Sequence, residues 1–247
     1  MGGKMKVAVV GAAGRMGSSV CEAVLGADLE LVARLDAGDP ITAESLAGAD
    51  VVVEFTVPSA TDANVHAILD AGSHVVVGTT GWTPERLEAV REHALRVCKN
   101  AIIAPNYALS AVLAMSFAEK AAAMFESVEV IELHHPDKVD APSGTATTSA
   151  QRIGAARRAA GLVSPDATQS DPLGTRGGQI DGVHVHAVRL RGLYAHEEIL
   201  LGNPGEQLTI RQDSFGRESF MPGVLLAVRE VGKRPGLTYG LEPLLDL

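Results

Sequence analysis

Short apolar runs alternate with amphipathic stretches along the first hundred residues. Runs rich in valine, isoleucine and alanine end at glycine or polar residues, and each has the length of a buried strand. The stretches between them repeat apolar residues at helical spacing. The runs that we predict as strands are 6–10, 29–35, 50–55, 73–77 and 101–104.

Helical patterns separate these runs. One covers Met16 to about Leu25, a second is predicted from a Ser59 cap to Ala71, and a third opens at Thr83-Pro84-Glu85. Five strands, each followed by a helix, predict an α/β fold with a Rossmann-type doubly wound parallel sheet. Ligands of such sheets bind at the carboxyl ends of the strands.

The pattern changes after Tyr107. A long apolar helix is predicted over 108–125, then a strand over 128–133, a helix from 143 to about 160 and a polar loop over 161–182. Three strands without intervening helices predict a second α+β domain, an open mixed sheet with one helix-covered face. The segments that complete the chain are strands 184–190, 196–201 and 207–211, a helix over 217–232 and a docked tail over 236–247.

Composition narrows the function classes. The chain has 247 residues, 46% of them hydrophobic, and a formal charge of −9, which argues against nucleic-acid binding. No apolar run approaches the roughly 20 residues that span a bilayer, and the first residues do not resemble a signal peptide. Cys21 and Cys98 form no C-x-x-C pair, so we expect reduced, buried thiols and a cytoplasmic protein.

A glycine turn follows the first strand at once, with the sequence Gly11-Ala12-Ala13-Gly14-Arg15-Met16-Gly17. Between a strand and a helix, such glycines allow the tight turn, the approach of a pyrophosphate and close packing of the helix. Asp36 ends the second strand, where an acid binds adenine ribose hydroxyls. The loops Gly78-Thr79-Thr80-Gly81 and Ala104-Pro105-Asn106-Tyr107 follow two further strands of the same edge. This common edge favours a dinucleotide cofactor over ordinary loop chemistry.

The densest chemistry lies between residues 129 and 146. The strand over 128–133 brings His134 and His135 to its end with side chains on opposite faces. Lys138 follows, and the start of a helix at Ser143-Gly144-Thr145 aims backbone N–H groups at the same loop. The combination indicates a pocket for an anionic, carboxylate substrate beside a proton donor. Two histidines at a strand end are by themselves more often structural than catalytic, and Lys138 and the helix start make the two interpretations about equal.

A metal site is not expected. Adjacent strand residues point apart, so His134 and His135 cannot bind one ion from the same side. His184 and His186 share a face of their strand, but no third ligand has a suitable spacing.

Taken in order, the segments GAAGRMG, FTVPS, GTTG, APNYALS and ELHHPDKVDAPSGTA resemble the 4-hydroxy-tetrahydrodipicolinate reductase family of lysine and diaminopimelate biosynthesis. The resemblance implies reduction of that small dicarboxylate, via dihydrodipicolinate, to tetrahydrodipicolinate by NADH or NADPH. It implies that His134 is the proton donor and acceptor and Lys138 a second proton donor. It also implies that His135, Gly144 and Thr145 bind substrate.

The resemblance implies further features. The cofactor site would comprise Gly11 to Met16, Asp36, Gly78 to Thr80 and Ala104 to Tyr107. A dinucleotide-binding domain, 1–107 completed by 217–247, would precede a substrate-binding and oligomerisation domain, 108–216. The second-domain sheet would join a homotetramer.

The expected cofactor preference follows from charge. Ala13 and Ala37 provide no positive group for a 2′-phosphate, which leaves Arg15 or Arg34, and Asp36 would repel it. We therefore expect NADH to be used well and NADPH to be accepted.

Two other functions remain open. A dehydrogenase for another small dicarboxylic acid, such as an aspartate dehydrogenase, would use the same fold. A nucleotide-sensing binding protein would keep the glycine turn and Asp36, but it would have no use for His134 and Lys138.

Overall fold

The computed structural model describes residues 3–245, which form two compact units. The first comprises residues 3–109 and 220–245, and the second comprises Ser110–Ser219. Each unit has its own sheet and its own hydrophobic core. Residues 1, 2, 246 and 247, at the ends of the predicted first domain and tail, lie outside the described part.

The strands are β1 (Lys6–Val10), β2 (Glu30–Leu35), β3 (Val51–Glu54), β4 (His74–Val77), β5 (Asn100–Ile103), β6 (Ser127–His134), β7 (Gly178–Ile180), β8 (Val183–Arg189), β9 (Ala195–Asn203), β10 (Glu206–Ser214) and β11 (Gly236–Tyr239). The α-helices are α1 (Arg15–Leu25), α2 (Thr61–Asp70), α3 (Pro84–Arg96), α4 (Leu109–Ala122), α5 (Gly144–Ala159) and α6 (Met221–Glu230).

The first unit is built on a six-stranded parallel sheet in the order β11-β5-β4-β3-β1-β2. Its inner strands are buried on both faces, as the short valine-rich runs predicted, and their side chains join those of α2 and α3 in one core. The predicted Rossmann-type sheet is confirmed.

Three details of the first unit differ from the predictions. No helix follows β2, because residues 36–49 form turns. Ser59 does not cap α2; its N-cap is Ala60, and no side chain caps it. The predicted tail contains β11, which pairs with β5 in parallel, because its backbone completes the edge of the sheet. The Thr83 cap of α3 is confirmed by its bond from the Arg86 N–H.

The second unit contains a five-stranded mixed sheet in the order β10-β9-β6-β8-β7. The central strand β6 is parallel to β8 and antiparallel to β9. Alanines of α4 and α5 pack on one face of the sheet against Val130 and Ile199. The predicted open mixed sheet, and with it the fold class, is confirmed.

Helix α4 and the loop after α5 differ from the predictions. Helix α4 ends at Ala122 rather than at 125, and the Arg157 guanidinium donates to the carbonyls of Ala122, Phe125 and Glu126 beyond this end. An arginine satisfies the carbonyls that a helix end leaves without partners. The predicted loop over 161–182 contains the strand β7.

The predicted helix over 217–232 and the predicted burial of Cys98 also need correction. The segment is α-helical only in α6, with 3-10 turns at Arg217–Phe220 and Val231–Lys233. Pro222 has no N–H to donate, which accounts for the break before α6. Cys21 is buried, but Cys98 is exposed in the turn after α3, with φ of 53°.

Candidate active site

The glycine turn of the first unit is held by close backbone contacts. Gly11 has φ of 83°, which favours glycine, and its N–H donates to the Leu35 carbonyl at 2.9 Å. A Cβ at Gly17 would overlap the Gly11 carbonyl, so only glycine lets α1 start this close to the turn. The turn and the helix start are therefore built as the spacing predicted.

Asp36 contacts the turn directly. Its Oδ2 accepts from the Ala13 N–H at 2.6 Å, and its Oδ1 accepts from the Ala37 N–H at 3.0 Å. The first unit therefore places a carboxylate beside a glycine turn at the N-terminus of α1. These groups fit the ribose hydroxyls and the pyrophosphate of a dinucleotide.

The two other predicted cofactor loops lie together. Thr79, Thr80, Ala104 and Pro105 line one small cavity of about 80 Å³, with Trp82 and Tyr239 among the other lining residues. A Cβ at Gly78 would overlap the Phe55 ring, which explains the glycine at that position.

Tyr107 and Asn106 have structural contacts. The Tyr107 hydroxyl donates to the Val77 carbonyl at 2.7 Å, and burial raises its pKa. Asn106 Oδ1 accepts from the Ala108 N–H at 2.9 Å. The side chain of Tyr107 therefore supports the loop, and its backbone is what it can offer to a cofactor.

Sequence reasoning did not single out Glu54 in the first unit. This carboxylate is fully buried at the end of β3 and accepts from Thr56, Thr61 and Asn64. The sequence feature that could have identified Glu54 is an acidic residue at the end of a run of valines.

In the second unit, Glu132 organises the histidine end of β6. Its carboxylate is 0% exposed and accepts two bonds from Arg189, both at 2.8 Å. It also accepts from the Ser143 N–H at 3.2 Å and contacts His134 Nδ1 at 2.5 Å. A carboxylate only accepts, so Nδ1 carries a hydrogen and Nε2 is the nitrogen left for chemistry.

Burial and hydrogen bonding change the pKa of His134, and likewise that of Glu132, in opposite directions. Burial lowers the pKa of His134, and the bond to Glu132 offsets only part of that effect. Burial acts to raise the pKa of Glu132, but bonds from Arg189 and His134 outweigh it, and the net pKa is lowered. Glu132 is therefore an anion at neutral pH, and His134 is largely neutral in the free protein.

Lys138 lies in the loop after β6 with Asp140 as its partner. Their Nζ and Oδ1 atoms are 2.7 Å apart, and the ammonium holds the pKa of Asp140 below its usual range. The Lys138 side chain is 21% exposed, so a small anion can reach it. His135 lies beside Tyr194, with ring centroids 6.3 Å apart.

The start of α5 is confirmed at Ser143. Its hydroxyl accepts from the Ala146 N–H at 3.1 Å, and Gly144 is the first helical residue. A Cβ at Gly144 would meet nothing within 4 Å, so an incoming group can approach the backbone there. Thr145 follows on the first turn of a helix of 16 residues, whose N-terminus favours an anion.

His184 and His186 both contact side chains of neighbouring strands. His186 contacts Glu129 at 2.7 Å, and His184 contacts Gln179 at 3.0 Å. Within residues 3–245, no group of three or more metal-binding side chains converges. The same residues include no helix with the length and apolar character to cross a bilayer.

Two charged residues beside His134, Arg189 and Glu132, were not singled out from the sequence. Arg189 lies opposite His134 in the β6–β8 register, and Glu132 precedes His134 by one strand repeat on the same face. The available signal was an acid two positions before the histidine in an apolar strand.

Comparison with known proteins covers both units. Residues 5–107 match a family model described as dihydrodipicolinate reductase, N-terminus, and residues 110–245 match its C-terminus. The 4-hydroxy-tetrahydrodipicolinate reductase of Beutenbergia cavernae is 61% identical over 98% of this chain and 99% of that protein. The reductase of the same name from Nocardia farcinica is 55% identical over 98% and 99%.

Solved structures are also similar to this chain. Dipicolinate-bound dihydrodipicolinate reductase from Paenisporosarcina sp. TG-14 has a TM-score of 0.87 and 36% identity, covering 97% of this chain and 99% of that chain. An amine dehydrogenase from Mycobacterium smegmatis has a TM-score of 0.59 at 13% identity, over 95% and 94% of the two chains, and shares the fold alone.

Proposed function

Because the chain belongs to the dihydrodipicolinate reductase family, we propose that it reduces 4-hydroxy-tetrahydrodipicolinate to tetrahydrodipicolinate in diaminopimelate and lysine biosynthesis. The observation that carries the proposal is the contact of Glu132 with His134 and Arg189 at the end of β6. Lys138 and the N-terminus of α5 follow within the same segment. These are a proton carrier and two anion-binding features, which a dicarboxylate substrate requires.

The reaction takes up one hydride and one proton and releases one water. NADH or NADPH supplies the hydride when bound to the first unit. His134 Nε2 is the atom that holds the proton, because Nδ1 is committed to Glu132. Substrate carboxylates favour the imidazolium over the neutral ring, so His134 gains its proton as the substrate binds.

The remaining groups bind the two carboxylates. Lys138 exchanges Asp140 for one substrate carboxylate, assisted by His135, and can act as a second proton donor. The backbone at Gly144 and the Thr145 hydroxyl bind the other carboxylate. In the first unit, the glycine turn, Asp36 and the loops after β4 and β5 bind the cofactor.

The assembly and the compartment are also proposals. We expect a homotetramer joined through the open face of the second sheet, where Ile131, Leu133 and Leu200 are only half-buried. The cytoplasmic location of the protein stays a prediction.

One assay with two cofactors tests the function. The purified chain, given the aldol product of pyruvate and aspartate semialdehyde, should oxidise NADH with a kcat/KM at least equal to that for NADPH, because Asp36 repels a 2′-phosphate. Absorbance should stay constant without the aldol product. Failure to oxidise either cofactor refutes the function, whereas a strong preference for NADPH contradicts only the cofactor expectation.

A further inference from the structure

The covered face of the second sheet changes from apolar to polar within one strand repeat. Val130 and Ile199 are register partners, and both are 0% exposed. The next pair on that face is Glu132 with Glu197, and Gln212 of β10 pairs with Glu197 from the other side. Glu197 therefore belongs to the polar end of the sheet, one repeat from His134.

The two facing glutamates have different surroundings. Glu132 accepts from four donors, as described above. Glu197 is 3% exposed, and its Oε1 has no hydrogen-bond partner within residues 3–245. Ser149 Oγ, which α5 buries, also lacks one there. Four donors thus compensate Glu132 as an anion, whereas the Ser149 hydroxyl, which lies close to Glu197 without forming a well-aligned hydrogen bond, is the single donor among the described residues that favours the ionised form of Glu197.

Burial, together with the charge of Glu132, favours a proton on Glu197. Its strand neighbours contribute Glu132, His134 and, through Glu132, Arg189, while β10 contributes the uncharged Gln212. On the two covering helices, Glu119 and Arg152 neutralise each other at 2.7 Å. Burial raises the pKa of Glu197 to about 7; the Ser149 hydroxyl offsets part of this effect, and the charge of Glu132 acts in the same direction as burial.

We propose that Glu197 is a positioning residue that balances the charge of His134: it is neutral while the imidazole is neutral and ionised while the imidazole carries its catalytic proton. This inference rests on the proposed role of His134. Glu132 links the two residues, because its carboxylate contacts His134 and faces Glu197 across the strands. An imidazolium stabilises a second carboxylate, and the released proton goes to solvent or to the imidazole.

The consequence concerns the complex with an anionic ligand. The ligand draws a proton to His134, and ionised Glu197 then adds an attraction that a neutral side chain cannot supply. Diagonal neighbours on paired strands lie about 7–8 Å apart. At an effective dielectric of about 20, one charge at that distance shifts a titration by roughly one to two pH units.

Glu197→Gln tests this, because glutamine keeps the shape and stays neutral. Histidine side chains of the full chain are titrated by NMR with dipicolinate and NADH bound, and the His134 signal is assigned from its loss in His134→Gln. We expect the His134 midpoint in Glu197→Gln to fall by roughly one to two pH units. The alkaline limb of the kcat profile should move with it.

Glu198→Gln is the matched control. Glu198 is the next residue of β9, its side chain lies on the opposite face and it pairs with Arg211 at 2.7 Å. Its substitution should leave the His134 midpoint unchanged. Equal midpoints in the wild type and Glu197→Gln overturn the inference, whatever the activity. A shifted midpoint with an unchanged kcat profile supports the charge balance and removes His134 as the proton donor.

The wild type supplies a test that does not depend on the folding of a variant. Carbon-13 labelling of glutamate carboxyls should show Glu197 protonated at pH 6 without ligand and ionised at the same pH in the dipicolinate complex. A Glu197 carboxyl that is ionised at pH 5 without ligand, or that stays protonated in the complex, overturns the inference.

Discussion

At the scale of single residues, Glu132 determines what His134 can do. The carboxylate is fully buried, and each of its oxygens accepts two bonds. A hydrogen bond to a charged group typically contributes about 1.5–3 kcal/mol, so the bond to Glu132 holds the imidazole in one orientation. The other ring nitrogen, Nε2, is then held in a fixed position, as proton transfer requires.

Substitutions of His134 and Lys138 should separate proton transfer from binding. We expect His134→Ala to lower kcat by about 10² to 10⁴ with little change in KM, because a general acid acts mainly in the transition state. Lys138→Ala should lower kcat and raise KM together, because the ammonium also binds a carboxylate. Steady-state kinetics over a range of substrate concentrations measures both.

Lys120→Ala is the control for these variants, since Lys120 is an exposed residue of α4. It should keep both constants. A His134→Ala variant with turnover near that of the wild type would remove His134 from the mechanism.

At the scale of elements, β6 and α5 are joined by a side chain and a backbone group. Glu132 near the end of β6 accepts from the N–H of Ser143, which caps α5. The strand therefore carries the proposed proton carrier, and the helix carries the proposed anion-binding N-terminus, with one bond linking the two. Sixteen residues of helix give that terminus its partial positive charge.

Gly144→Ala should weaken ligand binding without weakening the fold. Nothing lies within 4 Å of the added methyl group, and alanine favours a helix over glycine by up to about 1 kcal/mol. The methyl group would occupy the space where a carboxylate approaches the backbone. We expect dipicolinate affinity to fall about tenfold in calorimetry, while the free energy of unfolding is unchanged or higher.

Gly26→Ala, at the C-terminal end of α1, is the matched control. Its added methyl group would also fit, because the nearest atom would lie 3.5 Å away. It should keep dipicolinate affinity. Unchanged affinity in Gly144→Ala would exclude the start of α5 from the ligand site.

At the scale of the whole molecule, each unit has a complete sheet and core of its own. Within the described residues, the second sheet is covered by helices on one face, and half-buried apolar side chains lie on the other. An open face of this kind is stabilised when a second copy covers it, and closed symmetric assemblies are the usual result.

The family resemblance implies four copies, so light scattering should give four times the 25.7 kDa mass of one chain. Leu200→Lys places a charge on the open face and should lower that mass, whereas Leu25→Lys, at a side chain 61% exposed on α1, should not. A wild-type mass of one chain at micromolar concentration would contradict the tetramer.

Local signals account for the sequence-based predictions that are confirmed. Cap residues such as Thr83 and Ser143 act within three positions, and valine runs of four or five residues specify buried strands. Two of the wrong predictions were decided by a distant group. Arg157 contacts the carbonyls beyond the early end of α4, and β11 forms only because β5 offers it an edge.

The sequence by itself determined the two sheets, the glycine turn with its acid, and the order of histidine, lysine and helix start, because neighbouring residues produce these features. Only the tertiary structure decided that Arg189 binds Glu132 across 57 positions and that Glu197 faces the same carboxylate. The physical reason is strand register: pairing of remote segments selects which side chains meet, and a shift of one residue would turn each of them to the other face.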